Sequence, residues 1–152
     1  MYYTHLAFGL LVSLLLLDFL NIENKFVFIV IVLFFSIFPD IDETKSKIGR
    51  KNKIISRIIN FIFGHRGFFH SIYIPLALFG ILYNINYEAA IAILAGYFSH
   101  LFADGTTKQG IRPLNPLINK RINGFLKTNS LLEKIIFLAI ILVDLSILIA
   151  YI

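Results

Sequence analysis

The chain has 152 residues, of which 58% are hydrophobic and 15% charged, with a formal net charge of +5 and a mean hydropathy of +0.81. That balance leaves too little polar surface for an ordinary soluble domain and points to a single membrane-embedded domain over residues 1–152. The absence of cysteine excludes disulfides, thiolate metal sites and cysteine nucleophiles, so imidazole and carboxylate remain as the metal-binding side chains.

Taken in chain order, the opening Met1-Tyr2-Tyr3-Thr4-His5 has no basic n-region, and no small-residue cleavage signal follows the first apolar run. A removable signal peptide is therefore not expected. Apolar runs extend over Leu6 to Leu20, Phe26 to Phe38, Ser71 to Tyr83, Ala89 to Ala103 and Ile135 to Ile152. Each reads as a helix, giving an all-α integral membrane bundle of about five apolar helices. Several runs are shorter than the roughly 20 residues that cross a hydrocarbon core, so tilt, local thinning or extension into the flanks must supply the rest. A bundle sunk part-way into one leaflet is the alternative.

Between the second and third runs, Ser46 to Phe63 carries Ile54, Ile55, Ile58, Ile59 and Ile62 on one arc and Arg50, Lys53, Ser56, Arg57 and Asn60 on the other. This is the pattern of an interfacial amphipathic helix; an ordinary helix in a cytoplasmic loop has the same bias. The basic face lacks interleaved aromatics and adjoins apolar runs, so membrane lipids rather than nucleic acid are the expected partner. Nearly all basic residues lie in the two long loops, from Lys45 to Arg66 and from Lys108 to Lys127. The positive-inside rule places both loops in the cytoplasm.

The chemistry-bearing residues gather at that face. His5 precedes the first run, Asp40 and Asp42 follow the second, His65 and His70 lead into the third, and His100 and Asp104 close the fourth. Helices threaded back and forth bring all of these to one side. Phe38-Pro39-Asp40-Ile41-Asp42 ends a helix at a proline and presents two carboxylates, although Pro-Asp-x-Asp is also an ordinary turn. His65-Arg66-Gly67-Phe68-Phe69-His70 brackets an arginine suited to an anion with two imidazoles, and His100 and Asp104 share a helical face. Seven candidate ligands, His5, Asp40, Asp42, His65, His70, His100 and Asp104, exceed what one tetrahedral ion needs. Two divalent ions, zinc foremost, or one ion with a separate general base, fit the set.

These motifs, from Thr4-His5 through Pro39-Asp40-Ile41-Asp42, His65-Arg66-Gly67 and His70-Ser71 to Gly96-Tyr97-Phe98-Ser99-His100 with Asp104, Thr107, Gly110 and Asn115-Pro116, resemble the ordered signature of the YdjM-like membrane-bound metal-dependent hydrolases. Where that family commonly has threonine before the second histidine of the His-Arg-Gly block, this chain has Phe69, a change expected to touch the pocket lining rather than the metal. The family is distantly similar to zinc-dependent phospholipase C and single-strand nucleases. The resemblance implies hydrolysis of a phosphate ester, a phospholipid or other phosphodiester; the basic loops beside the cluster place the site at headgroup level on the cytoplasmic face of the cell membrane. In that scheme Asp42 orients or deprotonates the attacking water, Arg66 stabilises charge on the phosphoryl oxygens, and Thr107 and Lys108 contact the substrate.

Two other readings use the same residues. A structural metal site would have closed, fully protein-ligated coordination and no cleft. A transporter would carry ionisable groups at mid-membrane depth, for which Asp144, and Asp18 nearer a helix end, are the candidates.

Overall fold

The computed structural model describes residues 1–43, 46–51, 54, 57 and 68–150. Its helices are α1 (Tyr2–Phe19), α2 (Lys25–Phe35), α3 (Lys47–Lys51), α4 (Tyr73–Leu82), α5 (Tyr87–Gly105) and α6 (Leu131–Ala150), with 3-10 segments at Phe38–Asp42 and Phe68–His70. Each of the five apolar runs contains a helix, and no strand longer than an isolated bridge occurs among the described residues. Of the expected amphipathic helix, Ser46 is a bend, Lys47–Lys51, Ile54 and Arg57 are helical, and the rest lies outside the described residues.

The helix ends follow local chemistry. Asn24 and Asn86 cap α2 and α5 by accepting from the backbone N–H of Val27 and Ala89, the bonds that satisfy otherwise orphaned first-turn donors. α2 stops at Phe35, three residues before the apolar run does, because Pro39 cannot donate to a helical ladder and its ring crowds the preceding turn. The chain tightens there into the 3-10 segment that carries Asp40 and Asp42. Pro75 is accommodated in the first turn of α4, where an N–H is not required.

α5 is the central helix and packs against α1, α2 and α4, while α6 leans on α1. Small residues allow the close approach. A Cβ on Gly96 would stand 2.4 Å from the Val32 carbonyl oxygen, and one on Gly9 would stand 2.7 Å from Ser36 Cβ. Both glycines seat the end of α2 against its neighbours. At the opposite end, the Glu23 N–H donates to the Glu88 carboxylate at 2.7 Å, joining the first short connection to the first turn of α5. Leu17, Ile22, Phe28, Val32 and Ala92 fill the apolar core between.

Much of the outer surface is apolar, including Phe26 at 76% exposure, Leu142 at 60% and Phe102 at 65%. Among the described residues one helix, α1, is long and apolar enough by itself to cross a membrane. α4 has only ten helical residues, and α6, although twenty long, includes Glu133, Lys134 and Asp144.

Candidate metal centre

The ends of α1 and α5 and the two 3-10 segments meet at one pole of the bundle. His5 is one turn into α1, His100 and Asp104 occupy the last turns of α5, and Asp40, Asp42 and His70 come from the 3-10 segments. His5, His70, His100, Asp42 and Asp104 are essentially buried. Asp40 keeps a small opening to the outside.

The hydrogen-bond partners fix how the rings are used. His100 Nδ1 lies 2.8 Å from the Ser36 carbonyl oxygen, which can only accept, so Nδ1 carries the proton and Nε2 presents a lone pair. His70 Nδ1 lies 3.2 Å from Asp42 Oδ2, which places its proton in the same way. The two Nε2 atoms then face each other at 3.3 Å. Two lone pairs at this distance repel unless a cation or a shared proton lies between them, and a carboxylate or carbonyl behind each ring is the usual support for a metal-bound imidazole.

Asp104 joins the halves of the cluster. Its Oδ1 is 3.3 Å from His5 Nε2, and its Oδ2 is 3.7 Å from His70 Nε2 and 3.9 Å from His100 Nε2. Asp40 Oδ1 stands 3.9 Å from His100 Nε2. The His5 and His100 rings stack at 4.1 Å, and His5 Nδ1 is a buried nitrogen with no hydrogen-bond partner. Two overlapping triads could each hold a metal ion, His5 with His100 and Asp104, and Asp40 with His70 and His100. Since His100 Nδ1 is engaged by Ser36, its Nε2 serves one ion only, and a second ion would depend on Asp104 offering one oxygen to each side.

Electrostatics run in the same direction. Burial opposes charge on His70, yet the hydrogen-bonded Asp42 carboxylate, with Asp104 and Asp40 nearby, outweighs it and raises the imidazole pKa. Burial raises the Asp40 pKa. Carboxylates withdrawn from water call for positive charge among them.

A cavity of about 340 Å³ reaches His5, Asp40 and Asp104 from the surface, and Lys47, Arg50 and Gln109 also line it. Asp42, expected at the water, lies behind His70 instead. Thr107 and Lys108 do not line this cavity. The Thr107 hydroxyl donates to the Asp104 carbonyl at 2.7 Å and accepts from Gly110 N–H at 3.1 Å, closing the end of α5; Lys108 is exposed. His65 and Arg66 lie outside the described residues. Asp144 is buried within α6, both carboxylate oxygens lacking a hydrogen-bond partner, and joins no ligand group among the described residues.

The ligand types were legible in the sequence; their supports were not. Ser36 acts through its carbonyl, which no motif marks. Tyr97, whose hydroxyl donates to the Phe69 carbonyl at 2.8 Å and so anchors the segment bearing His70, stands in the sequence signature with no role to mark it. Arg50 reads as a headgroup contact and Lys47 as one more basic loop residue, although their three-residue spacing puts them on one helical face.

No solved structure matches the chain. The uncharacterized protein YvsG of Bacillus subtilis (strain 168) is 38% identical over 104 residues, 66% of this chain and 65% of that protein. Inner membrane protein YdjM of Escherichia coli (strain K12) is 40% identical over 85 residues, 51% of this chain and 43% of the relative, and the YdjM protein of Shigella flexneri matches equally. The chain thus spans less than two thirds of the length of each relative. The profile of the YdjM inner membrane proteins matches residues 1–151, and by that match the chain belongs to the YdjM family of inner membrane proteins.

Proposed function

We propose that the chain is a membrane-embedded, metal-dependent hydrolase that cleaves a phosphate ester at headgroup level, with its active-site face cytoplasmic. The observation that carries the metal is the pair of imidazole Nε2 atoms facing at 3.3 Å, each ring backed by an acceptor at its Nδ1. The cavity that ends on His5, Asp40 and Asp104 favours an enzyme over a closed structural site. The reading of five membrane crossings draws on the five apolar helices and on outward-facing side chains such as Phe26 and Leu142. The phosphate rests on the distant resemblance to zinc-dependent phosphodiester hydrolases.

His5, His70, His100 and Asp104 would hold zinc or a similar ion. When bound, such an ion withdraws charge from a phosphoryl oxygen and acidifies water toward neutral pH. The chain supplies the rest. Asp42 holds the His70 proton on Nδ1 and keeps the ring in register. Asp40, which lines the cavity and whose pKa burial has raised, is the carboxylate placed to take a proton from the attacking water. As the water oxygen bonds to phosphorus, the ester P–O bond breaks and the leaving oxygen takes up a proton. Arg66, in the segment leading to His70, is assigned to the charge on the non-bridging oxygens.

The deep burial of His100 and Asp104 also suits a structural metal that ties the helix ends together without catalysis. Metal-loaded protein screened in nanodiscs against phospholipids, lipid phosphates and simple phosphodiesters separates the two readings. An enzyme loses turnover in Asp40→Asn by about 10²–10⁴-fold and loses both metal and turnover in His100→Ala. No turnover of any ester by metal-replete protein favours the structural site.

A further inference from the structure

We propose that Lys47 and Arg50 form an anion-binding subsite in the outer wall of the cavity, built to take the phosphate group of a ligand once metal occupies the His and Asp cluster. The proposal rests on the hydrolase reading for its context and specifies how that site would recognise its substrate.

Three features support it. First, α3 is tethered to the metal-centre residues. The Ser46 hydroxyl donates to the Asp40 carbonyl at 2.7 Å and accepts from the Gly49 N–H at 2.9 Å. One side chain thus caps α3 and ties it to the 3-10 segment that presents Asp40. Lys47 and Arg50, three residues apart, face the same way and both line the cavity.

Second, Lys47 is positioned in advance. Its ammonium donates to the Tyr3 hydroxyl and lies 3.8 Å from the Tyr3 ring centroid and 4.8 Å from that of Tyr2. Tyr3 belongs to α1, two residues before His5, so the helix that supplies a candidate ligand also orients the ammonium. A cation held in this way loses less side-chain entropy on meeting an anion.

Third, the charges make recognition conditional. The carboxylates lining the cavity are Asp40, Glu43 and Asp104, and the permanent cations are Lys47 and Arg50. Without metal the carboxylates offset the cations and repel an anion. One or two divalent ions among the His and Asp side chains reverse the balance, and a phosphate then meets metal on its inner side and the ammonium and guanidinium on its outer side. Arginine's fork matches phosphate oxygens in pairs, while lysine acts as a point charge.

The test is calorimetric titration of inorganic phosphate into full-length, zinc-loaded protein in phosphatidylcholine nanodiscs. Saturable binding is expected, abolished by a chelator and weakened about 10-fold in each of Lys47→Gln and Arg50→Gln at unchanged zinc content. Tyr3→Phe, which keeps the ring and removes the hydroxyl, should weaken it about 3-fold. Lys120→Gln, exposed and outside the cavity, should have no effect. Replacing part of the phosphatidylcholine with phosphatidic acid distinguishes the source. A lipid headgroup in the subsite competes with inorganic phosphate in the unsubstituted protein but not in the Lys47→Gln, Arg50→Gln double variant, whereas a subsite for soluble phosphate shows no competition. Phosphate affinity unaltered in both single variants, with full zinc content, overturns the proposal and leaves the hydrolase reading standing. Binding that depends on Lys47 and Arg50 without turnover of any ester overturns the hydrolase reading and leaves the subsite.

Discussion

Removing the carboxylate behind His70 discriminates most sharply between orienting and reactive roles. Asp42 Oδ2 lies 3.2 Å from His70 Nδ1, and both groups are buried. Its part is to keep the proton on Nδ1 and the Nε2 lone pair aimed at the centre. Outer partners of metal-bound histidines are worth about 10- to 100-fold in metal affinity, or roughly 1.4 to 2.7 kcal/mol. In Asp42→Asn the amide oxygen can still accept from Nδ1–H but no longer raises the basicity of the ring, so the loss should fall near 10-fold. In Asp42→Ala the Nδ1–H loses that acceptor, and the loss should approach 100-fold. Competition for zinc between the detergent-solubilised protein and a fluorescent chelator measures both. Unchanged zinc affinity in Asp42→Ala would refute this role, and unchanged affinity with lost turnover would make Asp42 the base. A loss well beyond 10³-fold would make it a direct ligand.

Gly96→Ala should lower stability by about 1–3 kcal/mol, because the new Cβ meets the Val32 carbonyl oxygen and Phe35 Cβ; Gly80→Ala, with open space around it, should not, and equal melting temperatures for the two would count against the packing of α2 on α5. Zinc affinity should rise with pH: the proton on His70 is held more tightly than on an ordinary histidine, metal must displace it, and the competition therefore persists to a pH above about 6.5. An affinity that is flat from pH 5.5 to 8 would separate His70 from the metal. Lys47→Cys should escape an impermeant maleimide in intact cells, and Asn84→Cys, in an exposed short turn, should react; the reverse labelling would invert the proposed orientation.

The five helices were legible because each is a continuous apolar run, and the gathering of His and Asp at one pole was legible because their positions alternate between helix starts and helix ends. α2 ends three residues short of its apolar run because hydrophobicity continues through Phe38 while helical hydrogen bonding does not. The role of Asp42 was not legible: Pro39-Asp40-Ile41-Asp42 presents two carboxylates, and only the fold, by bringing in His70 from 28 residues away, sends one behind a ring and the other to the cavity. Thr107 lay beside the ligands in sequence, yet its hydroxyl closes the helix that carries them. The Thr4 hydroxyl donates to Glu133 at 2.7 Å across 129 residues, steadying the start of α1 beside His5; no local pattern encodes such a contact.

The central claim, that this cluster holds metal, is tested most directly by elemental analysis of protein purified without a histidine tag, alongside His100→Ala. The account predicts about one to two divalent ions per chain, with zinc the leading candidate, and loss of bound metal when His100 is replaced. A folded protein that contains no metal, takes up none on addition of zinc and is indifferent to His100→Ala would contradict it.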